Sequence, residues 1–342
     1  MSRGQVQIHE FVFQRQVHKT TLGYVGHALW RRTNNEVSSV AFKVAFDNKI
    51  KGRKNTDRIE HEGTLALKHD FLRHHDGVLR TLAYFPWDLA RSQQWRLLDS
   101  GGQSHKPTLG LGPYQVLVTE WAAGGDLFEY VHQCHQAKPK RAAFALSGAY
   151  QRQLRLCLQD VCRTMQEAHR QGLFHLDLSL ENLFVVENTA SPGVSYVVVG
   201  DWGATRTRQE LEQTQEHLRN IGKESYMSPE MYAGLVTDPA KCDVWSLGII
   251  LYAVFCGGTP FEKISAQNRF MQLGPRKTWA QCCAKYPEGV VSQRQTAMVK
   301  HGNQHLMHLL EHMLDRNPLT RYTLDQVVQH PWFTSAGPAK TS

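Results

Sequence analysis

FHLDLSLENLFVV, residues 174–186, sets His175, Asp177 and Asn182 between the end of a helix and an apolar strand. Twenty-four positions after Asp177 a β-branched run, VVVG, ends in Asp201-Trp202-Gly203. One acid and one amide, followed by a second acid at a strand end, are the groups that a magnesium–nucleotide site requires. A hard dication takes oxygen ligands, and a hydroxyl nucleophile needs a carboxylate within hydrogen-bond reach.

Working outward, Leu154, Leu158, Val161, Met165 and Ala168 recur at helical spacing from about residue 147, and Gly172 stands where a left-handed stop is wanted. Leu306, Leu309, Leu310, Met313 and Leu314 repeat that pattern until Asn317-Pro318. Thr323 with Gln326 then forms a capping box for a helix carrying Leu324, Val327 and Val328. The first third is β-rich. Residues 36–46, EVSSVAFKVAF, read as a strand between Asn34-Asn35 and Asp47-Asn48. Residues 58–73 look helical. Residues 87–113, rich in Ser, Gly, Pro and Gln, read as a long surface insertion between two strands. A small β-rich half precedes a larger helical half, and the joint falls at Glu120-Trp121-Ala-Ala-Gly-Gly, where paired glycines suit a flexible connection. No repeat of fixed period is visible, which removes solenoids and propellers.

The chain has 342 residues, 39 Lys+Arg against 31 Asp+Glu, and a formal charge of +8 with its 18 histidines neutral. With 41% hydrophobic and 20% charged residues it is a globular chain, not a disordered, collagenous or coiled-coil one. The modest basic excess reads as solubility with some polyanion affinity, and no nucleic-acid role is expected. MSRGQVQIHEFVFQRQ at the start holds no apolar run, so neither a signal peptide nor an anchor is expected. The longest apolar stretch, Val244 to Cys256, is too short to span a bilayer, and no membrane insertion is expected. The seven cysteines (134, 157, 162, 242, 256, 282 and 283) form no CxxC and are odd in number, which reads as reduced thiols in an intracellular protein. Cys134 beside His132 and His135 reads as a surface group rather than a zinc site.

HLDLSLEN resembles the HRDLKxxN catalytic loop of the eukaryotic protein kinase family, and DWG resembles its DFG. Val40-Ala41-Phe42-Lys43 resembles the VAIK strand, Ser228-Pro229-Glu230 the APE motif, and Asp243-Val-Trp-Ser-Leu-Gly the buried helix that follows. Arg321, after Asp315-Arg-Asn-Pro, matches the Arg that pairs with the APE Glu. The resemblance runs from about residue 20 to Phe333. It implies a bilobal α+β fold: a β-rich N-lobe over about 20–119, a hinge at about 120–125 and a helical C-lobe over about 126–333. Residues 1–19 and 334–342 are left as flanking segments.

The activity implied is transfer of the ATP γ-phosphate, with Mg²⁺, to Ser or Thr hydroxyls of protein substrates. Lys43 would pair the α- and β-phosphates, Asn182 and Asp201 would hold Mg²⁺, and Asp177 would accept the hydroxyl proton. Glu62 fits best as the helix partner of Lys43, with Glu60 as the alternative. Thr21, Gly23, Gly26 and Ala28 take the place of the phosphate-covering GxGxxGxV, with Thr21 where the first glycine belongs. Thr119 would sit at the back of the nucleotide pocket, Glu120 and Ala122 would present backbone groups to adenine, Asp126 would face the ribose, and Ala41 and Phe184 would sandwich the base. Glu230, Arg321 and Asp243 are assigned, with Glu62, to structural ion pairs. Asp126 and Glu181 lean the substrate preference towards Arg or Lys upstream of the acceptor. LDQVVQHPWF resembles the last helix of calmodulin-dependent-type kinases, but the nine residues after it give calmodulin control no visible basis.

Further positions depart from the pattern. Leu176 replaces the Arg that receives an activation-loop phosphate, so activity is expected without loop phosphorylation, although Thr205, Thr207, Thr214 and Ser225 are available acceptors. Ser179 replaces a Lys that contacts the transferring phosphoryl group. Losing a unit charge ~4 Å from a developing anion is worth on the order of 4 kcal/mol at an effective dielectric of about 20, roughly a thousandfold in rate. GKESYMSPE, residues 222–230, resembles the family's GTxxYxxPE with Lys223 in the Thr position, which suggests a swapped pair, Ser179 with Lys223. The other reading is a lost lysine and an unrelated loop Lys. Trp202 for Phe in DFG is the mildest change. Thr21, Leu176 and Ser179 also fit a rival reading, a non-catalytic pseudokinase scaffold. The intact Lys43, Asp177, Asn182 and Asp201 argue against it, and the SPE and DVWSLG motifs with Arg321 argue against a small-molecule kinase.

Overall fold

Val40, Phe42 and Val44 alternate inward along one strand, and that period of two sets the first half of the fold. The computed structural model describes residues 11–19, 23–32, 36–45, 56–88, 97–98, 104–105, 113–136, 148–187, 195–214, 218, 221–256, 259 and 304–334. The chain divides into two compact units, 1–123 and 124–342.

In the first unit, β1 (Phe11–Lys19), β2 (Gly23–Arg31) and β3 (Val37–Ala45) run as an antiparallel meander. Then come α1 (Thr56–Lys68) and α2 (Asp70–His74), and β4 (Thr81–Asp88). The short pair β5 (Leu97–Leu98) and β6 (Ser104–His105) and the strand β7 (Pro113–Glu120) complete the unit. The sheet order is β1-β2-β3-β7-β4. Residues 11–19, set apart in the sequence reading, form its edge strand, and Phe11 packs with Phe42, Ala83, Val116 and Val118. The expected insertion at 87–113 is not wholly irregular, since β5 and β6 fall inside it.

Among its described residues the second unit is mainly helical, with short strand pairs. It begins with α3 (Leu127–Gln136) and α4 (Gly148–Arg170). The stripe Leu154, Leu158, Val161, Met165 and Ala168 of α4 is buried as its spacing requires, at roughly 1.5–3 kcal/mol for each large side chain. Gly172, at φ +73°, ends the turn after it. β8 (Leu173–Phe174) leads into the segment read first, and β9 (Leu183–Glu187) leaves it to pair with β10 (Ser195–Val199). β11 (Arg206–Thr207) pairs with β8. There follow α5 (Arg208–Thr214), α6 (Pro229–Ala233), α7 (Pro239–Cys256), α8 (Gln304–Met313), α9 (Leu324–Gln329) and α10 (Pro331–Thr334). The Thr323/Gln326 capping box is formed at the start of α9. Among the described residues no helix is long and apolar enough to cross a membrane.

Gly124 and Gly125 are held within the second unit. Gly124 N–H donates to Val185 O (3.1 Å), and Gly125 O accepts from Val185 N–H (2.9 Å). A Cβ on Gly124 would lie 2.8 Å from Val185, and Gly125 has φ +72°, so close approach and a left-handed turn explain the pair.

His330 caps α10. Its Nδ1 accepts the Trp332 N–H (3.1 Å) while its Nε2 faces Nδ1 of His308 (2.9 Å). A ring nitrogen that accepts carries no proton, so this imidazole is neutral. Burial, then the charges of His308, His305 and His312, bring its pKa from 6.5 down to about 4. Between those two values the unfolded chain binds a proton that the folded chain refuses, so stability falls as pH drops through that window. His330→Gln is expected to flatten the urea midpoint against pH there, and an unchanged slope would refute the assignment.

Candidate active site

The loop that holds Asp177 is fixed from below by α7. The buried Asp243 carboxylate accepts the N–H of His175 (2.9 Å) and of Leu176 (2.8 Å), and also faces His169 Nε2 (2.9 Å). Two successive amides held in this way keep Leu176 at φ 63°, a left-handed conformation costing about 1–2 kcal/mol. Asp243, expected in an ion pair, thus meets His169 and in addition anchors two main-chain amides, and Arg321 pairs with Glu230. His175 Nδ1 accepts the Asp177 N–H (3.3 Å), which leaves Nε2 to donate to Gly200 O (3.1 Å) and ties the loop to the end of β10.

Asp177 is 8% exposed, and its Oδ1 accepts the Lys223 N–H (3.0 Å). Asn182 Nδ2 donates to Asp177 O (2.7 Å), which commits the nitrogen end of that amide and leaves the oxygen as the end suited to a hard cation. Asp201 follows β10 in a left-handed conformation, φ 58°. Asn182 and Asp201 offer oxygen donors of the kind a hard divalent cation takes. Lys223 Nζ donates to the Oγ of the fully buried Ser179 (2.9 Å) and lies 3.2 Å from Glu181 Oε2. Gly222, at φ +82°, passes so close that a Cβ would lie 2.6 Å from Leu176 O.

In the first unit Lys43 Nζ lies 3.0 Å from Glu62 Oε2. Glu62 is buried on the same face of α1 as Ile59, Leu65 and Ala66, whereas Glu60 is exposed, which decides between the two candidates. Gly23 and Gly26 lie within β2, paired to Ala45 and Phe42, and a Cβ on Gly23 would collide with Val44 O, so sheet packing explains that glycine. Thr21 lies outside the described residues. Ala28 is buried opposite Val40, and Ala41 faces Thr119 across β3 and β7. The Glu120 side chain is held by Arg80, whose Nε donates at 2.8 Å, and Ala122 is buried just beyond. In the second unit Asp126 and Phe184 form an isolated bridge.

Residues 21–333 match the protein kinase domain family. The chain belongs to that family. This protein kinase is 29% identical over 223 residues to CBL-interacting protein kinase 2 of Oryza sativa subsp. japonica, covering 65% of this chain and 42% of the relative. It is 29% identical over 226 residues to ribosomal protein S6 kinase alpha-6 of Mus musculus, covering 65% and 26%. With serine/threonine-protein kinase SRK2H of Arabidopsis thaliana it shares 29% over 221 residues, covering 64% and 52%. The chain thus spans about half, or less, of the length of these relatives.

At the positions where this kinase departs from the family pattern, its side chains are accommodated. Leu176 is buried in an apolar cluster with Phe174, Leu218, Ile221 and Met227. Nothing in the sequence around Leu176 pointed to Leu218 and Ile221, which lie more than forty positions away. Trp202 is buried, donates its indole N–H to Val199 O (3.2 Å) and packs 4.8 Å from the His175 ring. Thr205 is buried, and Thr207 caps α5, its Oγ1 accepting the Glu210 N–H (3.1 Å).

Proposed function

We propose that this kinase transfers the γ-phosphoryl group of ATP, with Mg²⁺, to Ser or Thr hydroxyls of proteins. The observation that carries the reading is the set Asp177, Asn182 and Asp201: Asp243 clamps the loop that bears the first two, and His175 ties that loop to Gly200, the residue before the third. In this reading Asn182 and Asp201 would hold the metal ion, which would supply positive charge to the phosphates. Asp177 orients the substrate hydroxyl and takes its proton. Lys43, kept in place by Glu62, supplies a cation for the α- and β-phosphates. The Thr119–Ala122 segment, Ala41 and Ala28 are assigned to the adenine and Asp126 to the ribose. The test is transfer of labelled γ-phosphate from ATP to a peptide array, with Mg²⁺ present or chelated. Phosphoserine and phosphothreonine that vanish on chelation are expected, and no transfer to any acceptor would overturn the reading.

Phosphorylation of the activation segment is not needed in this proposal. Support comes from the apolar seat of Leu176, where a phosphate-binding Arg would stand, and from the structural roles of Thr205 and Thr207. Replacing Thr205, Thr207, Thr214 and Ser225 together by Ala is expected to keep kcat within about threefold. A loss of about 1 kcal/mol in stability from the lost Thr207 cap is also expected. Inactivity of the folded variant would overturn this.

A preference for basic peptides is supported by the acidic surroundings of Asp126. Burial raises its pKa, the Glu129 N–H opposes that rise, the charges of Glu181 and Glu129 add to it, and the Lys223 charge offsets part of it. Carboxylates that repel one another in this way favour an Arg or Lys brought by a substrate.

A further inference from the structure

We propose that Lys223, carried by the activation segment, is the catalytic ammonium that stabilises the transferring phosphoryl group, a role that rests on the kinase reading above. Three observations station this cation. Its own N–H is bonded to Asp177 Oδ1 at 3.0 Å, so the main chain of Lys223 is registered on the proton-accepting carboxylate itself. Gly222 lets the chain come that close, because at φ +82° and with Leu176 O in the way no side chain fits. The Nζ then turns back to Ser179 Oγ, two residues beyond Asp177, with Glu181 as a second neighbour.

A purely structural role accounts poorly for this arrangement. Although the Glu181 Oε2 that faces it is buried, the Lys223 side chain is 40% exposed and that of Glu181 36%, and a pair near the surface contributes about 0–1 kcal/mol. Ser179, by contrast, is fully buried, and its hydroxyl accepts from the ammonium. The pair places one hydroxyl and one permanent donor beside Asp177, with the ammonium on the partly exposed side where a phosphorylated ligand and an acceptor can reach it.

The chemistry gives the cation its work. The substrate hydroxyl oxygen forms a bond to the γ-phosphorus and the bond from that phosphorus to the β,γ-bridging oxygen breaks, its electron pair leaving with ADP. The hydroxyl proton passes to Asp177. Charge is spread over the three equatorial phosphoryl oxygens during this exchange. Lys223 takes no part in the proton transfer and acts through its charge and hydrogen bonds, as preorganised donors do.

The test compares the wild-type full chain with Lys223→Ala and with the double variant S179K/K223T, which moves the ammonium to the other side of the pair. Measured quantities are kcat, nucleotide Kd and melting temperature. Lys223→Ala is expected to lower kcat a hundredfold or more with nucleotide Kd within threefold of wild type, and the double variant to recover kcat to within tenfold. Should Lys223→Ala lose its fold, Lys223→Met keeps the aliphatic stem and carries the same expectation. A kcat within threefold of wild type after losing the ammonium would overturn the proposal. So would a folded, nucleotide-binding double variant no faster than Lys223→Ala. A wild-type chain that transfers no phosphoryl group sinks the kinase reading and this role with it, whereas active wild type with an indifferent Lys223 sinks the role alone.

Discussion

Asp177→Asn is expected to lower kcat by about a hundred- to ten-thousandfold, the range for removing a positioned general base, while folding and nucleotide affinity stay close to wild type. Asn preserves the shape of the side chain and an Oδ1 that accepts the Lys223 N–H. The main-chain bonds of residue 177, to His175 Nδ1 and Asn182 Nδ2, do not depend on the side chain at all. What is lost is a carboxylate able to take a proton. Labelled phosphoryl transfer, measured beside thermal melting, checks this. A folded variant retaining more than a tenth of wild-type kcat would show that another group accepts the proton.

Arg321→Leu is expected to destabilise the second unit by about 3–5 kcal/mol, the usual cost of leaving a buried charge without its partner. Against the roughly 5–15 kcal/mol that holds a domain together, this is a large part. The guanidinium is fully buried and binds Glu230 through two bonds, Nη1 to Oε1 at 2.6 Å and Nη2 to Oε2 at 3.0 Å. It also donates to Asp315 O and Lys241 O and lies 5.0 Å over the Trp245 ring. For Glu230, burial alone raises the pKa, but the hydrogen bonds and charge of Arg321 outweigh it, and the net shift is downward. A carboxyl depressed in the folded state contributes stability above its unfolded pKa and loses it as pH falls through the folded value. Without Arg321 burial dominates and the sign reverses: Glu230 is raised, and its contribution falls as pH rises through the unfolded value. The gap in urea midpoint between wild type and Arg321→Leu is therefore expected to be wide at pH 7 and to narrow towards pH 4 to 5. A constant gap would mean that Glu230 is not the group left exposed to the loss.

The parts of this site legible in the sequence were those whose chemistry fixes their residue type. Asp177, Asn182 and Asp201 are adjacent to strand and helix signals that place them, and the Lys43 strand announces itself by alternation. Glu62 against Glu60 was not decided by sequence because α1 begins before its apolar pattern does, and only the burial of one face separates them. The main-chain role of Asp243 is not legible in the sequence, because a carboxylate that binds backbone amides leaves no side-chain partner to be seen there. Leu218, Ile221 and the neutral His330 were missed for the same reason, since their partners are distant in the chain and apolar or aromatic. Paired glycines suggest freedom in the sequence, whereas Gly124 is required by close packing against Val185 and Gly125 by its left-handed φ of +72°.

Seating the activation segment on Leu176 through Leu218 and Ile221 also gives that contact the thermal and solvent response of oil in water. Hydrocarbon contacts weaken on cooling and strengthen with sulfate or sucrose, and they are indifferent to the screening that weakens exposed charge pairs. Cooling therefore loosens this seat while ordinary salt leaves it in place, the reverse of what a phosphate gripped by an arginine would do.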